Sequence, residues 1–356
     1  MVQTKTRPNT PAPGGEALVR TPSGATRRRP QSRVVALTGA ASFVGQNLLG
    51  LLEEDEYVER IVVIDVKPPP SVGKKTRFYE VDLTQPTAEA RLSELFAAER
   101  VGTLVHLAFH GSPSHASAYA HELESVCTMH LLVAARQARI SKLVMSSLTL
   151  LYGAHPSNPN FIAEQQALRA TRREPFFRDK IEAEAEAARF GERSEGAVVT
   201  VLRTAPILGP TVKSFLTRYL SRRLVPTMMG FDPLLQFVHE VDAIAAFKLA
   251  VDRDVPGVFN IVGDGVLPLS TVIKLAGRVA LPVPHPIAEP LTSLGWLAQL
   301  MPAPPTFLPY LRFLCVADGV RARDVMGFRP AYTTREALID FVSAMRLRDV
   351  KLLEEA

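Results

Sequence analysis

Apolar residues along this chain fall into two alternating patterns. Residues 33–37, 61–65, 77–81, 103–108, 142–147 and 198–203 are short runs of strand character, most of them apolar throughout, as strands buried on both faces of a parallel sheet require. Between them, apolar positions recur at helical spacing. Residues 89–100 put Leu92, Leu95 and Phe96 on one face, residues 114–138 form a long helical stretch, and residues 174–193 hold an Ala/Glu block of high helix propensity. This alternation implies right-handed crossovers and predicts an α/β fold, a Rossmann-type doubly wound parallel sheet. Beyond Pro206 the alternation loosens, with helices expected near 212–222, 241–251, 269–279 and 334–347 and short strands near 235–238 and 258–261. Insertions after the later strands predict a small C-terminal substrate-binding cap. The expected division is a disordered basic tail at 1–32, a dinucleotide-binding domain at 33–205 and the cap at 206–350, with late elements returning to the core.

Composition adds little to that outline. With 356 residues, 47% of them hydrophobic, the chain has ample material for a large core. Cys127 and Cys315 lie far apart without paired spacing, which suggests neither a disulfide framework nor a metal site and fits a reducing cytoplasm. The net charge of +5 draws on Arg20, Arg27, Arg28, Arg29 and Arg33, in or beside a Pro/Thr/Gly-rich stretch, so a solvated basic leader is expected rather than a nucleic-acid contact. No signal peptide is read there. Residues 291–316 are membrane-like in composition, but Gln299, Pro302, Pro304, Pro305, Pro309 and Arg312 interrupt them. They are expected to form two short apolar helices, one ending near Met301 and one starting near Pro305, and no transmembrane segment.

The first strand runs into Thr38-Gly39-Ala40-Ala41-Ser42-Phe43-Val44-Gly45, which opens an apolar-faced helix, and Asp65 ends the next apolar run twenty residues after Gly45. Strand, glycine turn, helix, strand and acid in that order are the setting of a dinucleotide site. The helix N-terminus would face the pyrophosphate, and Asp65 would accept from the adenosine ribose hydroxyls. That acid favours NAD over NADP, with Lys67 softening its repulsion of a 2′-phosphate.

With these residues placed, the chain resembles the extended short-chain dehydrogenase/reductase superfamily, and within it the NAD-dependent epimerase/dehydratase family. Thr38 to Gly45 looks like the family's T-G-x-x-G-x-x-G turn, Asp82-Leu83 like its adenine-contacting pair, and His106-Leu107-Ala108 like the strand end lining the cofactor trough. Leu202-Arg203 with Gly209-Pro210, Phe237-Val238-His239, Phe259-Asn260-Ile261 and Met326-Gly327-Phe328-Arg329-Pro330 resemble later family motifs in the family's order. The resemblance implies cofactor contacts at Gly39, Ser42, Phe43, Gly45, Asp65, Asp82, Leu83, Ala108 and Lys180. It also implies a homodimer formed through the helices near 114–138 and 174–193.

The catalytic pair departs from the family. Members usually carry Tyr-x-x-x-Lys on one helical face, where the lysine helps the phenol exchange a proton. Here the segment is Phe176-Phe177-Arg178-Asp179-Lys180, and a phenylalanine ring cannot hold a proton. Leu148 stands where the serine is expected, so Ser147 fills that role only if the segment before Gly153 carries one extra residue, and Glu124 replaces the central asparagine. Ser147, Tyr152, Asp179 or a water are the candidates for handling the proton, with Lys180 retained. Ser146 and Ser147 equally suit a strand end satisfying backbone groups, and Tyr152 equally suits packing. His106, His110 and His115 lack the spacing of a helical metal pair, and no metal is expected. Two functions follow from the resemblance. One is an atypical NAD-dependent oxidoreductase or epimerase acting on a nucleotide sugar or an apolar alcohol or ketone, and the other is an NAD-binding pseudoenzyme acting as a sensor or scaffold.

Overall fold

The structure is a computed structural model that describes residues 33–354; the expected basic tail lies outside the described residues. Six strands, β1 (Arg33–Thr38), β2 (Val58–Asp65), β3 (Thr76–Glu80), β4 (Thr103–His106), β5 (Lys142–Leu148) and β6 (Val198–Thr204), and the later strand Gly257–Ile261 form one seven-stranded sheet. All its pairings are parallel. From one edge the order is Gly257–Ile261, β6, β5, β4, β1, β2, β3. The chain winds outward from β1 through β2 and β3, then returns to β4 on β1's other side. Strand order therefore reverses between β1 and β4, and their carboxyl ends frame the crevice in which doubly wound folds bind ligands.

Both faces of the sheet are covered. The helices Phe43–Glu54 and Glu240–Asp252 bury Leu48, Leu52, Ala246 and Phe247 on one side, and Ala88–Glu99, Cys127–Gln137 and Pro175–Arg193 bury Leu92, Phe96, Leu131 and Phe190 on the other. The stretch expected as one helix over 114–138 starts at Ser117 and widens into a π-turn at Glu122–Val126 before Cys127. That turn carries Glu124, the residue that the resemblance sets at the family's asparagine position.

The later segment supplies both a sheet strand and the cap. The strand Leu224–Met228 pairs in parallel with Val279–Val283, and Leu234–Leu235 pairs antiparallel with Leu267–Pro268. The helix expected over 269–279 stops at Leu275 because Gly277, at φ +66°, takes a left-handed conformation that ends it. The apolar stretch folds as the helix His285–Leu297 and a 3-10 turn at Pro305–Leu311, in which Pro309 lacks the N–H that an α-helix would need there. Among the described residues no helix is long and apolar enough to cross a membrane.

Candidate functional site

The glycine turn lies at the carboxyl end of β1, inside the crevice. Gly39 has φ +71°, and a Cβ there would come within 2.5 Å of the Leu107 carbonyl and 2.6 Å of the Ala108 nitrogen. A Cβ on Gly45 would collide with the Gly39 carbonyl. Both positions therefore require glycine for the turn to close on the β4 end. Ser42, at the family's middle glycine, is the N-cap of the helix Phe43–Glu54 and accepts from the Gly45 N–H at 3.0 Å. Phe43 and Val44 lead the helix, so their N–H groups have no carbonyl one turn earlier and face out of its positive end.

Asp65 ends β2 beside this turn. Its Oδ2 accepts from the Ala41 N–H at 3.3 Å and its Oδ1 from the Val66 N–H at 2.8 Å. The acid and the turn, separate in sequence, thus meet as a dinucleotide site needs. A cleft lined by Val66, Asp82, Gln85 and Arg91 continues past Asp65. Within it the Thr84 hydroxyl and N–H, at 2.7 and 2.9 Å, hold the Asp82 carboxyl below its ordinary range. Leu83 is buried, and its carbonyl accepts from the Cys127 thiol at 2.8 Å. Ala108 lies at the β4 end against Gly39. The residues present fit a dinucleotide: two glycines that only glycine can fill, a helix N-terminus and an acid next to it.

His106 is fully buried between Thr38 and Thr128, 2.7 and 2.8 Å from their hydroxyls. Burial pushes its pKa down to about 3, so it is neutral and joins β1, β4 and the central helix.

Lys180 and Phe176 share one face of the helix Pro175–Arg193, four residues apart. The Lys180 ammonium is buried, 2.7 Å from Glu124 Oε2 and 3.8 Å from the Phe176 ring centre. Burial lowers its pKa, with Glu124 opposing the shift. Glu124 also accepts from the His110 N–H at 2.6 Å. Phe176 packs with Phe177 and Phe307 in an aromatic cluster. Asp179 bridges two helices, accepting from His121 Nδ1 and Arg178 Nε, each at 2.9 Å.

Ser147 and Tyr152 belong to a separate buried network. The Ser147 hydroxyl donates to Glu184, which pairs with the Arg203 guanidinium. Arg203 Nη1 donates to the Tyr152 hydroxyl at 2.9 Å, and that hydroxyl donates to Asn260 Oδ1 at 2.8 Å. Burial raises the Tyr152 pKa. Burial works against the Arg203 charge too, but Glu184 outweighs it and holds that group above its ordinary value. The register of β5 with β6 runs unbroken from Lys142 opposite Val198 to Leu148 opposite Thr204. The strand itself therefore carries no bulge as far as Leu148. The structure brings Gly39, Ser42, Gly45, Asp65 and Ala108 together, and it keeps Ser147 and Tyr152 in the interior. The sequence motifs include Arg203, through Leu202-Arg203, but not Glu184, whose readable signal is an acid four residues after Lys180.

A cavity of about 150 Å³ under the cap is lined by apolar groups including Leu150, Phe215, Leu235, Phe307 and Leu311. Most of its few polar groups already have partners. Tyr219 donates to the Pro226 carbonyl, Tyr310 to the Leu150 carbonyl, Gln236 to the Ala317 carbonyl and Arg222 to the Leu300 carbonyl.

The profile of the NAD dependent epimerase/dehydratase family matches residues 35–262. An uncharacterised protein of Mycobacterium tuberculosis is 32% identical over 317 residues, covering 87% of this chain and 83% of its own. A 3-diazoavenalumate denitrifying reductase of a Streptomyces species is 26% identical over 314 residues, 84% of this chain and 96% of its own. Among solved structures, MoeE5 in complex with UDP-glucuronic acid and NAD superposes with TM-score 0.67 at 22% identity, over 88% of this chain and 99% of that one. UDP-glucose 4-epimerase from Thermotoga maritima does so at 0.67 and 19%, over the same shares. The glycine turn, the acid beside it, the strand order and the family profile agree: this chain belongs to the NAD-dependent epimerase/dehydratase family.

Proposed function

We propose that the protein is an NAD-dependent oxidoreductase that moves hydride between nicotinamide and an apolar substrate without a phenol of its own to handle a proton. The observation that carries this reading is an intact dinucleotide turn in the same molecule as Phe176 at the tyrosine position. Gly39, Ser42, Phe43 and Gly45 would hold the pyrophosphate and Asp65 the adenosine ribose, with Asp82, Leu83 and Ala108 along the trough. Bound NAD supplies the hydride chemistry. The carboxylate at 65 favours NAD over NADP.

The cavity supports an apolar substrate over a nucleotide sugar. A diphosphate calls for several converging cations, and Arg222 is the one cation among the residues that line this mostly apolar cavity. An apolar electrophile needs none. Hydride added to a ketone makes an alkoxide that must be protonated, and with Ser147 and Tyr152 held in the interior the proton would come from water. The relative whose activity is reductive loss of nitrogen from a diazo compound suggests a second route. Where hydride replaces dinitrogen on the carbon of a diazonium cation, the products are neutral C–H and N2, no alkoxide forms and no phenol is required.

One observation favours the pseudoenzyme instead: Glu124 holds the Lys180 ammonium that the family turns toward the cofactor. The deciding experiment is calorimetry with NAD and NADH, followed by NADH oxidation assays with ketones, aldehydes, iminium ions and diazo compounds. Binding with turnover by the wild type supports the oxidoreductase. Binding with turnover only after Phe176→Tyr makes the natural protein a pseudoenzyme. No binding at millimolar coenzyme sinks both. We propose further that the chain is a cytoplasmic homodimer paired through the helices Cys127–Gln137 and Pro175–Arg193, which light scattering tests.

A further inference from the structure

The cap is apolar where the helix His285–Leu297 meets solvent. At 3.6 residues per turn, Ile287, Pro290, Leu291, Leu294 and Leu297 fall on one side of it, while buried Ala288 and cavity-lining Thr292 face the body. Leu294 is 67% exposed, Leu297 78% and nearby Leu300 69%. The patch continues onto the adjoining strand pair through Leu224, Val279 and Leu281, all exposed. Single exposed leucines need no explanation, but a run of large apolar side chains along neighbouring elements marks a contact surface.

Positive charge predominates around the patch. Glu289 is the only carboxylate between residues 265 and 317. Arg222 donates to the Leu300 carbonyl, the Val279 N–H donates to the Arg223 carbonyl at 3.1 Å, and Arg312 lies 2.6 Å from His285 at the start of the helix. Arginines thus stand at the Leu300 end of the ridge, at its His285 end, where Arg312 stacks on Phe231 and Phe313, and beside the strand Val279–Val283. Behind the ridge, Thr292 and Met301 line the apolar cavity, so the patch and the cavity share a wall.

We propose that this face of the cap docks on a lipid bilayer with anionic headgroups, lying in the interface plane. The leucine ridge enters the acyl boundary while the arginines meet the headgroups. A protein partner would cover apolar area equally well, but the arginine rim and near-absence of carboxylates match anionic lipid. That an apolar substrate reaches the cavity from the bilayer rests on the proposed function; the docking itself does not.

The test is sedimentation of the full chain with vesicles of phosphatidylcholine alone and of phosphatidylcholine mixed with phosphatidylglycerol. The wild type is expected to partition onto the anionic vesicles. Leu294→Ser with Leu297→Ser should lower that partitioning at least tenfold, and exposed Arg223→Gln should lower it several-fold. Both variants change exposed side chains, and an unchanged circular dichroism melt shows that they fold. Their NADH affinity is measured alongside and should match the wild type, which separates failure of docking from failure of the cofactor reading. A wild type that stays in the supernatant, or binds both vesicle types equally, overturns the proposal. So does a wild-type oligomer that the double leucine variant dissociates while neither protein binds vesicles.

Discussion

Lys180 Nζ lies 2.7 Å from Glu124 Oε2 with both side chains buried, and the same ammonium sits over the Phe176 ring. Glu124 and Phe176 each depart from the family's pattern, and this contact makes them one electrostatic unit. A lysine kept on that face without a phenol beside it is a buried cation needing a counter-charge. Glu124 supplies it from the π-turn, oriented by the His110 N–H, and the aromatic face adds a cation–π contact.

Glu124→Gln removes that counter-charge while keeping the shape. Leaving a buried ammonium unpaired costs about 3–5 kcal/mol, so we predict a large drop in the urea midpoint. The double change Glu124→Leu with Lys180→Met, which removes both charges, should recover most of it. A single variant as stable as the wild type would mean that the pair is not ionised.

At the glycine turn, Ser42 acts through its cap hydrogen bond to Gly45. Ser42→Ala is predicted to cost about 1 kcal/mol and Ser42→Gly only a few tenths, although glycine is the residue the family carries there. Gly45→Ala, which drives a methyl into the Gly39 carbonyl, should cost more than either and weaken NADH binding. Equilibrium unfolding ranks the three, and equal costs would contradict the capping geometry.

Those features were legible because they are local. Strand, turn and helix follow one another between Arg33 and Glu54, and the alternation of runs was enough to imply the sheet. The partners of the catalytic-helix residues were not legible. Lys180 meets Glu124 only because the central helix widens into a π-turn, which no periodicity announces. Ser147 reads as a strand-end serine until the helix Pro175–Arg193 brings Glu184 onto it. The strand near 258–261 was expected, but its place beside β6 depends on the return of the chain after the helix Glu240–Asp252.

His106 gives the protein an acid limit. Its folded pKa of about 3 lies below the ordinary value of 6.5, so between those values the unfolded chain binds a proton that the folded chain does not. Stability should be flat above the upper value. It should fall as pH drops through the window, at up to about 1.4 kcal/mol per pH unit. Denaturation midpoints from neutral pH downward check the sign, and His106→Gln should show a shallower acid slope. An unchanged slope in that variant would assign the acid limit to other groups.

Tyr152 separates a structural role from a chemical one. Its hydroxyl accepts from Arg203 and donates to Asn260 in the interior, so Tyr152→Phe takes the donor from buried Asn260 Oδ1 and leaves Arg203 Nη1 the Glu164 carbonyl alone, at about 1–3 kcal/mol. If the residue only packs, the variant melts earlier while its turnover per folded molecule and the pH profile of that turnover stay at wild-type values. A proton donor would show the reverse: near-normal melting, a collapse in kcat with KM little changed, and loss of one limb of the pH profile. Measuring melting and kinetics on the same preparation tells the two apart, because the burial that raises this phenol's pKa also removes it from the cavity where substrate would bind.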